Sequence, residues 1–516
     1  MEYLASSSFT SFVNDLLKRN NVPGLSIAAV HNDEVFSTGY GIANYEDNIP
    51  CTSDTLFDIA SSSKSLTAAS VALLVDDKKY PKLQYNALMS DLLPDDFVML
   101  DKTYTDGITV EDVLSHRTGM ANHDSSHRGP KASHPDTAKS VTRNLRNLKV
   151  AAPLRSRYLY CNQMYTVATH LVEETSRQSF SDFLEQRIFI PLDMTSTTSQ
   201  PAGARSRGWA DRMAKGYIWE NQSWRGFDPQ DCPEGQGAGS VISSVNDFIK
   251  WVKALLYHEG PVNDRVYQGL TTMRSIVNPQ ARRLRAHTTP AIYAAGKEIY
   301  YYRGCKVIGH DGCVPGFASR FIFMPELKFG AVVLGNSAGA GPAATVIIRA
   351  LMDEILAVPV EDRPSYQQKP AKKDKPERPL AIHPGTHSKV ADKHLRHSKE
   401  QPSHASQTMP EIIPLESYVG KYWNAGYHSM TVQIQDNHLF VDALDRSMGF
   451  TLTFHHVRNQ TEYIAALKDE IELTAEPIHA EFVFDDGKVV KMGLDLEPAI
   501  KELICFDLVD SGASCI

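Results

Sequence analysis

Cysteine is scarce in this chain. The 516 residues hold seven, at positions 51, 161, 232, 305, 313, 505 and 515, an odd and scattered set with no C-x-x-C pair. This excludes a disulfide framework and a cysteine zinc site, and points to reduced thiols in the cytosol. Long apolar runs are missing too: none approaches the roughly 18–20 residues that crossing a bilayer requires. The opening M-E-Y-L-A-S-S-S-F-T has neither a basic nor an apolar signal region, so we expect no export, no membrane association and a cytoplasmic location. Positive charge is in deficit, 53 Lys and Arg against 61 Asp and Glu for a net −8, and no basic patch flanks a motif. Nucleic acid is therefore excluded as a partner. H-E-x-x-H and G-x-S-x-G do not occur; Gly24-Leu25-Ser26-Ile27-Ala28 lacks the second glycine and reads as strand. His116, His123, His127 and His134 fall in a Ser/Gly/Pro-containing stretch without partners at ligand spacing, and read as a polar loop. The sequence calls for no metal and no cofactor.

Apolar material, by contrast, is ample. Hydrophobic residues make up 42% of the chain, enough for real cores, and the length suggests two to four domains. Residues 7–19 predict an amphipathic helix, and V-P-G-L-S-I-A-A-V-H-N-D-E-V-F-S-T-G-Y-G predicts two strands joined at Asn32-Asp33. Near residue 300, Y-Y-R-G-C-K-V-I-G-H and F-A-S-R-F-I-F-M-P-E-L-K-F-G-A-V-V-L-G-N predict antiparallel strands. A closing helix is expected over Pro342–Val358. Strands at both ends with helices between predict an α+β fold whose sheet joins the two termini of one domain, residues 1–360. Residues 361–409 are rich in Pro, Lys, His, Ser and Gln and read as a linker, its histidines solvated. Residues 410–516 carry short strands with Asp-Asn and Asp-Asp-Gly turns, enough for a small all-β barrel or sandwich. Asn221-Gln-Ser and Asn459-Gln-Thr match a glycosylation pattern that an unexported chain would not use.

The stretch D-I-A-S-S-S-K-S-L-T-A at 58–68 crowds four serines around one lysine. Only Ser61 lies three residues before Lys64, where two side chains share a helix face. A serine nucleophile needs a base and an oxyanion site; otherwise Ser61 is an N-cap. Tyr160-Cys161-Asn162 offers a phenol and an amide two residues apart, on one side of an extended segment. Gly309-His310-Asp311-Gly312-Cys313 sets a histidine among glycines at a strand end, where backbone can approach a ligand.

The set S-x-x-K, Y-x-N and H-x-G resembles the serine β-lactamase and penicillin-recognising family. Within it the chain looks like the branch of class C β-lactamases, esterases, D-aminopeptidases and transesterases. Tyr160 follows Ser61 by 99 residues and precedes His310 by 150, spacings that suit that branch. V-P-G-L-S-I-A-A-V, D-V-L-S-H-R-T-G-M, G-A-G-S-V-I-S-S and P-G-F-A-S-R match as well, so the resemblance spans about residues 8–357. It implies an antiparallel sheet flanked by helices, with a helical subdomain and the site between them. Ser61 would be acylated, with Lys64 and Tyr160 sharing proton transfer and the choice of base left open. Asn162 would hold Lys64 and a substrate carbonyl. The backbone N–H groups of Ser61 and Cys313 would form the oxyanion hole beside Gly312. His310 would replace the family's frequent lysine as a hydrogen-bonding partner near Tyr160. The thiol of Cys313 is incidental to this scheme.

The third motif departs from K-T-G, placing His310 and an anionic Asp311 where relatives grip a carboxylate, which argues against penicillin hydrolysis and transpeptidation. We expect a hydrolase of an uncharged ester, amide or thioester, acting on a small-molecule or peptide acyl substrate. An acyltransferase sharing every catalytic residue is the alternative, and a non-catalytic ligand-binding protein on this fold is the third reading. The C-terminal domain resembles the lipocalin-like barrels attached to some members, and is expected to restrict access to the cleft or mediate homo-oligomers.

Overall fold

The computed structural model describes residues 2–279, 284–364, 413–471 and 475–509. Ser7–Arg19 forms the first helix because Phe9, Val13, Leu16 and Leu17 recur on one face and are buried. The Ser6 hydroxyl caps it, accepting from the Phe9 N–H at 3.1 Å. Strands Gly24–His31 and Glu34–Asn44 follow as an antiparallel hairpin. Its turn residues, Asn32 and Asp33, both have positive φ, 47° and 71°. Their side chains tolerate that geometry, which matches the twist of the paired strands.

Strands Phe317–Met324 and Phe329–Gly335 return to the first strand, Leu25 opposing Gly335 and Val30 opposing Gly330. The sheet joins the two ends of the domain, as expected. Among the described residues it has nine antiparallel strands, with Cys305–Val314 and Glu298–Tyr302 on the far side of Phe317–Met324. Alternation sorts its side chains. Leu25, Ile27, Ile322 and Val333 meet the helices Ser7–Arg19 and Ala340–Ile355, while Ala28, Val30, Phe321 and Val332 meet helix Val245–Tyr257 and the helical half. Each fully buried Val, Ile or Phe contributes about 1.5–3 kcal/mol.

In the helical half, Lys64–Asp76 packs against Asn162–Ser176. Every residue from Lys64 to Leu74 is buried, and the hydroxyls of Ser65, Thr67 and Ser70 are satisfied by backbone carbonyls. The closing helix begins at Ala340, two residues before the expected start, and Pro342 sits in its first turn. No helix among the described residues is long and apolar enough to cross a membrane.

The C-terminal strands, from Gly420–Asn424 to Ile504–Val509, form a closed antiparallel barrel of eight. Closure leaves no strand edge exposed. Tyr418, Tyr422, Phe454, Tyr463 and Phe482 are buried and meet one another edge-on or tilted. Side chains thus fill the interior, as eight strands allow. The barrel docks on the segment after residue 120. Gly129 donates to the Asp445 carbonyl at 2.8 Å and Ser447 to the His127 carbonyl at 2.9 Å, and the Asn144 amide donates to the Gly426 carbonyl at 2.8 Å. The linker expected at 361–409, with its histidines, lies outside the described residues from 365 onward.

Candidate active site

Ser61 sits in a 3₁₀ turn, Ala60–Ser63, that leads into helix Lys64–Asp76. Ala60 is left-handed, φ 48°, a strain of about 1–2 kcal/mol for a residue with a Cβ. Asp58 holds it there: its carboxylate accepts the Ala60 N–H at 2.7 Å. The other serines are structural. Ser62 bonds Ser319 at 2.7 Å, the Ser63 hydroxyl accepts the Val241 N–H at 3.2 Å, and Ser65 donates to the Ser62 carbonyl at 2.9 Å. Ser61 instead meets Lys64 and Tyr160. Lys64 Nζ lies 3.0 Å from its hydroxyl, and the Tyr160 hydroxyl donates to it at 2.9 Å.

Lys64 is fully buried, and its other two contacts are the Asn162 side-chain oxygen at 2.8 Å and the Ala238 carbonyl at 2.7 Å. Desolvation lowers its pKa to about 7 against the opposing pull of Asp124. A neutral amine has two N–H bonds and one lone pair. With both N–H bonds directed at Asn162 and Ala238, the lone pair faces Ser61. Tyr160 is pushed the other way: burial holds its phenol well above 10, so it is a neutral donor.

Cys161 is extended, but Asn162 opens the helix rather than continuing an extended segment. The side chains of Tyr160 and Asn162 still converge on Ser61 and Lys64. Gly312 brings the strand Cys305–Val314 against the Ser61 turn. A Cβ there would stand 2.4 Å from the Ile59 carbonyl oxygen and the Ser319 hydroxyl, and 2.9 Å from the Ser61 nitrogen. Only glycine permits that approach.

Two expectations are corrected. His310 bonds Tyr293, not Tyr160. The Asp311 carbonyl can only accept, so His310 Nδ1 carries the proton at 2.5 Å and Nε2 accepts from the Tyr293 hydroxyl at 2.8 Å. Contact with Tyr160 is relayed by rings, Tyr293 to His116 at 4.7 Å and His116 to Tyr160 at 4.3 Å. Asp311, one residue along the strand, faces the Ala340–Ile355 side. There it pairs with Arg320 at 3.0 Å, which also bonds Thr345, so its charge cannot repel a substrate carboxylate. The neutrality of the position comes from His310 itself, whose burial lowers its pKa to about 3.

The stretch read as a polar loop supplies functional parts. His116, His123 and His127 are buried and only His134 is exposed. His116 Nδ1 accepts the Cys161 N–H at 3.0 Å, which orients the Tyr160 segment. Asp124 accepts from the Asn162 amide at 3.3 Å, and Asn122 accepts the Asn162 N–H at 2.7 Å. Burial, with Glu497 second, raises the Asp124 carboxyl to about 7. The available signal was position: His116 lies within D-V-L-S-H-R-T-G-M, and Asn122 and Asp124 follow it within a few places. Among the described residues, Asp96, His170 and Glu174 also cluster, but Arg143 and Lys139 pair with the two acids and occupy them.

A nine-stranded antiparallel sheet with helices on both faces, and a buried serine, lysine and tyrosine against its inner strands Cys305–Val314 and Phe317–Met324, has the fold of a β-lactamase-type serine hydrolase. A family model described as beta-lactamase matches residues 9–353, and a domain of unknown function, DUF3471, matches 405–504. The "Unguisins hydrolase ungD'" of Aspergillus campestris is 33% identical over 86% of this chain and 81% of its own length. Among solved structures, the octameric penicillin-binding protein homologue from Pyrococcus abyssi aligns over 97% of this chain and 99% of its own, at TM-score 0.59 and 20% identity. The D-amino acid amidase from Ochrobactrum anthropi aligns over 67% of this chain and 99% of its own, at TM-score 0.53 and 22% identity. The chain belongs to the beta-lactamase family, and its relatives support hydrolase activity.

Proposed function

We propose that this protein hydrolyses an uncharged amide, ester or thioester through an acyl-enzyme on Ser61. One observation carries the proposal: the Ser61 hydroxyl lies 3.0 Å from Lys64 Nζ and 2.9 Å from the Tyr160 hydroxyl. Free Lys64 takes the Ser61 proton as Oγ attacks the acyl carbon. The oxyanion is received by the N–H groups of Ser61 and Cys313, a pairing supported by the close approach that Gly312 allows. The tetrahedral intermediate then collapses and the acyl–leaving-group bond breaks. Tyr160 gives its proton to the departing nitrogen, oxygen or sulfur and regains one from the Lys64 ammonium. Water attacks the acyl-enzyme with Lys64 again as base, releasing acid and free Ser61. Asn162 holds the lysine and stands where a substrate carbonyl could bond.

The lack of a fixed cation at His310 supports an uncharged acyl group, and an amide leads among the three bonds. The A. campestris relative is named for hydrolysing unguisins and the O. anthropi neighbour for D-amino acid amides. The test is turnover of a panel of acyl amides, esters and thioesters by the parent and Ser61→Ala. Loss of at least 10³-fold is expected on removing a covalent nucleophile; equal turnover by the two proteins would overturn the reading. Adding alcohols and amines to the same assay separates hydrolysis from acyl transfer, and free acid is expected throughout.

A further inference from the structure

We infer that Glu497 and Tyr427, both carried by the barrel, are positioning residues of the catalytic site: they fix the turn at His123 that presents Asp124 to Asn162 and so aims Lys64 at Ser61. The inference rests on the serine-hydrolase reading above.

His123 is buried and left-handed, φ 49°, a conformation that persists where neighbours over-determine it. Its N–H donates to Glu497 Oε2 at 2.8 Å. Its Nε2 meets the Lys149 carbonyl at 2.8 Å and must carry the proton, so Nδ1 accepts from the Tyr427 hydroxyl at 2.6 Å. Two of these three anchors come from the barrel. Glu497 is itself 7% exposed, and its second oxygen is tied to the Ala499 N–H at 3.0 Å. The next residue, Asp124, accepts from the Asn162 amide, whose oxygen accepts a hydrogen bond from Lys64 Nζ at 2.8 Å. The path from barrel to amine is continuous.

Charge acts along the same path. Asp124 is faced by Lys64, Asn122, Asn162, Tyr160 and Cys161 from its own domain, and by Glu497 and Tyr427 from the barrel. A second carboxylate beside a buried one favours its protonated form. A neutral Asp124 leaves Lys64 without an anionic partner, which keeps the amine free. The barrel thereby biases the Asp124–Lys64 pair towards the state that can accept the Ser61 proton.

The full-length chain is tested as Glu497→Ala, Glu497→Gln and Tyr427→Phe, with folding checked by circular dichroism. Glu497→Ala should lower kcat about 10–100-fold, as a displaced catalytic group does, with KM changing less than about threefold. Glu497→Gln keeps an acceptor and should recover part of kcat. Removing the charge lets Asp124 ionise more readily and raises Lys64, so the acid limb of its pH–rate profile should move up by about half a unit or more. Tyr427→Phe should fall between parent and Glu497→Ala. If Glu497→Ala does not fold, the other two variants carry the test. Folded variants with the parent's kcat and pH profile would overturn the inference. Failure of the hydrolase reading shows differently, as Ser61→Ala matching the parent.

Discussion

Lys64 is where the mechanism meets measurable thermodynamics. Burial lowers it from 10.5 to about 7, so about half is free amine at pH 7, against roughly 0.03% for an unperturbed lysine. Below pH 7 kcat/KM should drop about tenfold per pH unit, and above it level off. Stability must report the same titration. Between pH 7 and 10.5 the unfolded chain binds a proton that the folded chain releases, so stability rises with pH across that window and this contribution is flat below it. Lys64→Met lacks the titration. From pH 7 to pH 9 the parent should gain about 2 kcal/mol relative to this variant. Urea unfolding of both proteins at pH 7, 8 and 9 measures the difference, with equal m-values showing that the denatured states match. A stability difference that stays constant with pH, together with kcat/KM level down to pH 5, would refute Lys64 as the base.

Two substitutions probe the rest of the site. Tyr160→Phe removes the donor 2.9 Å from Ser61 and should cost about 10²–10⁴ in kcat, measured at saturating substrate; a loss below tenfold would remove Tyr160 from proton transfer. Gly312→Ala pushes a methyl to 2.4 Å from the Ile59 carbonyl oxygen; it should destabilise by about 1–3 kcal/mol as overpacking does and lower kcat, read by denaturant melts alongside kinetics. An unchanged melt and rate would show that the strand does not press on the Ser61 turn.

Much of this was legible because the informative residues are local. Asn32-Asp33 names its own turn, and the three-residue step from Ser61 to Lys64 marks the pair that the structure brings to 3.0 Å. The segments near residue 300 showed themselves as antiparallel strands through alternation and turns, and they form the strands Cys305–Val314, Phe317–Met324 and Phe329–Gly335. The barrel's Asp-Asn turn likewise marked a hairpin, its residues 436 and 437 having φ 49° and 60°. What stayed hidden depends on tertiary contact. Asp311 looks like a substrate-facing anion in one dimension, yet a one-residue step along a strand turns it to the opposite face. His310 gave no sign of Tyr293, because nothing in either segment specifies a partner across the sheet. Asp124 lies in a stretch as polar as any surface loop, and its contact with Asn162 and the nearby charge of Glu497 exist only in three dimensions.

The most direct test is chemical. The parent is quenched during turnover of a slow acyl ester or amide, and the intact mass and proteolytic peptides are measured. The account predicts the acyl mass on the peptide holding Ser61, lost when Ser61 is alanine. Acyl mass on Cys313 or another side chain, or turnover without any covalent species under conditions where hydrolysis of one would limit the rate, would contradict it.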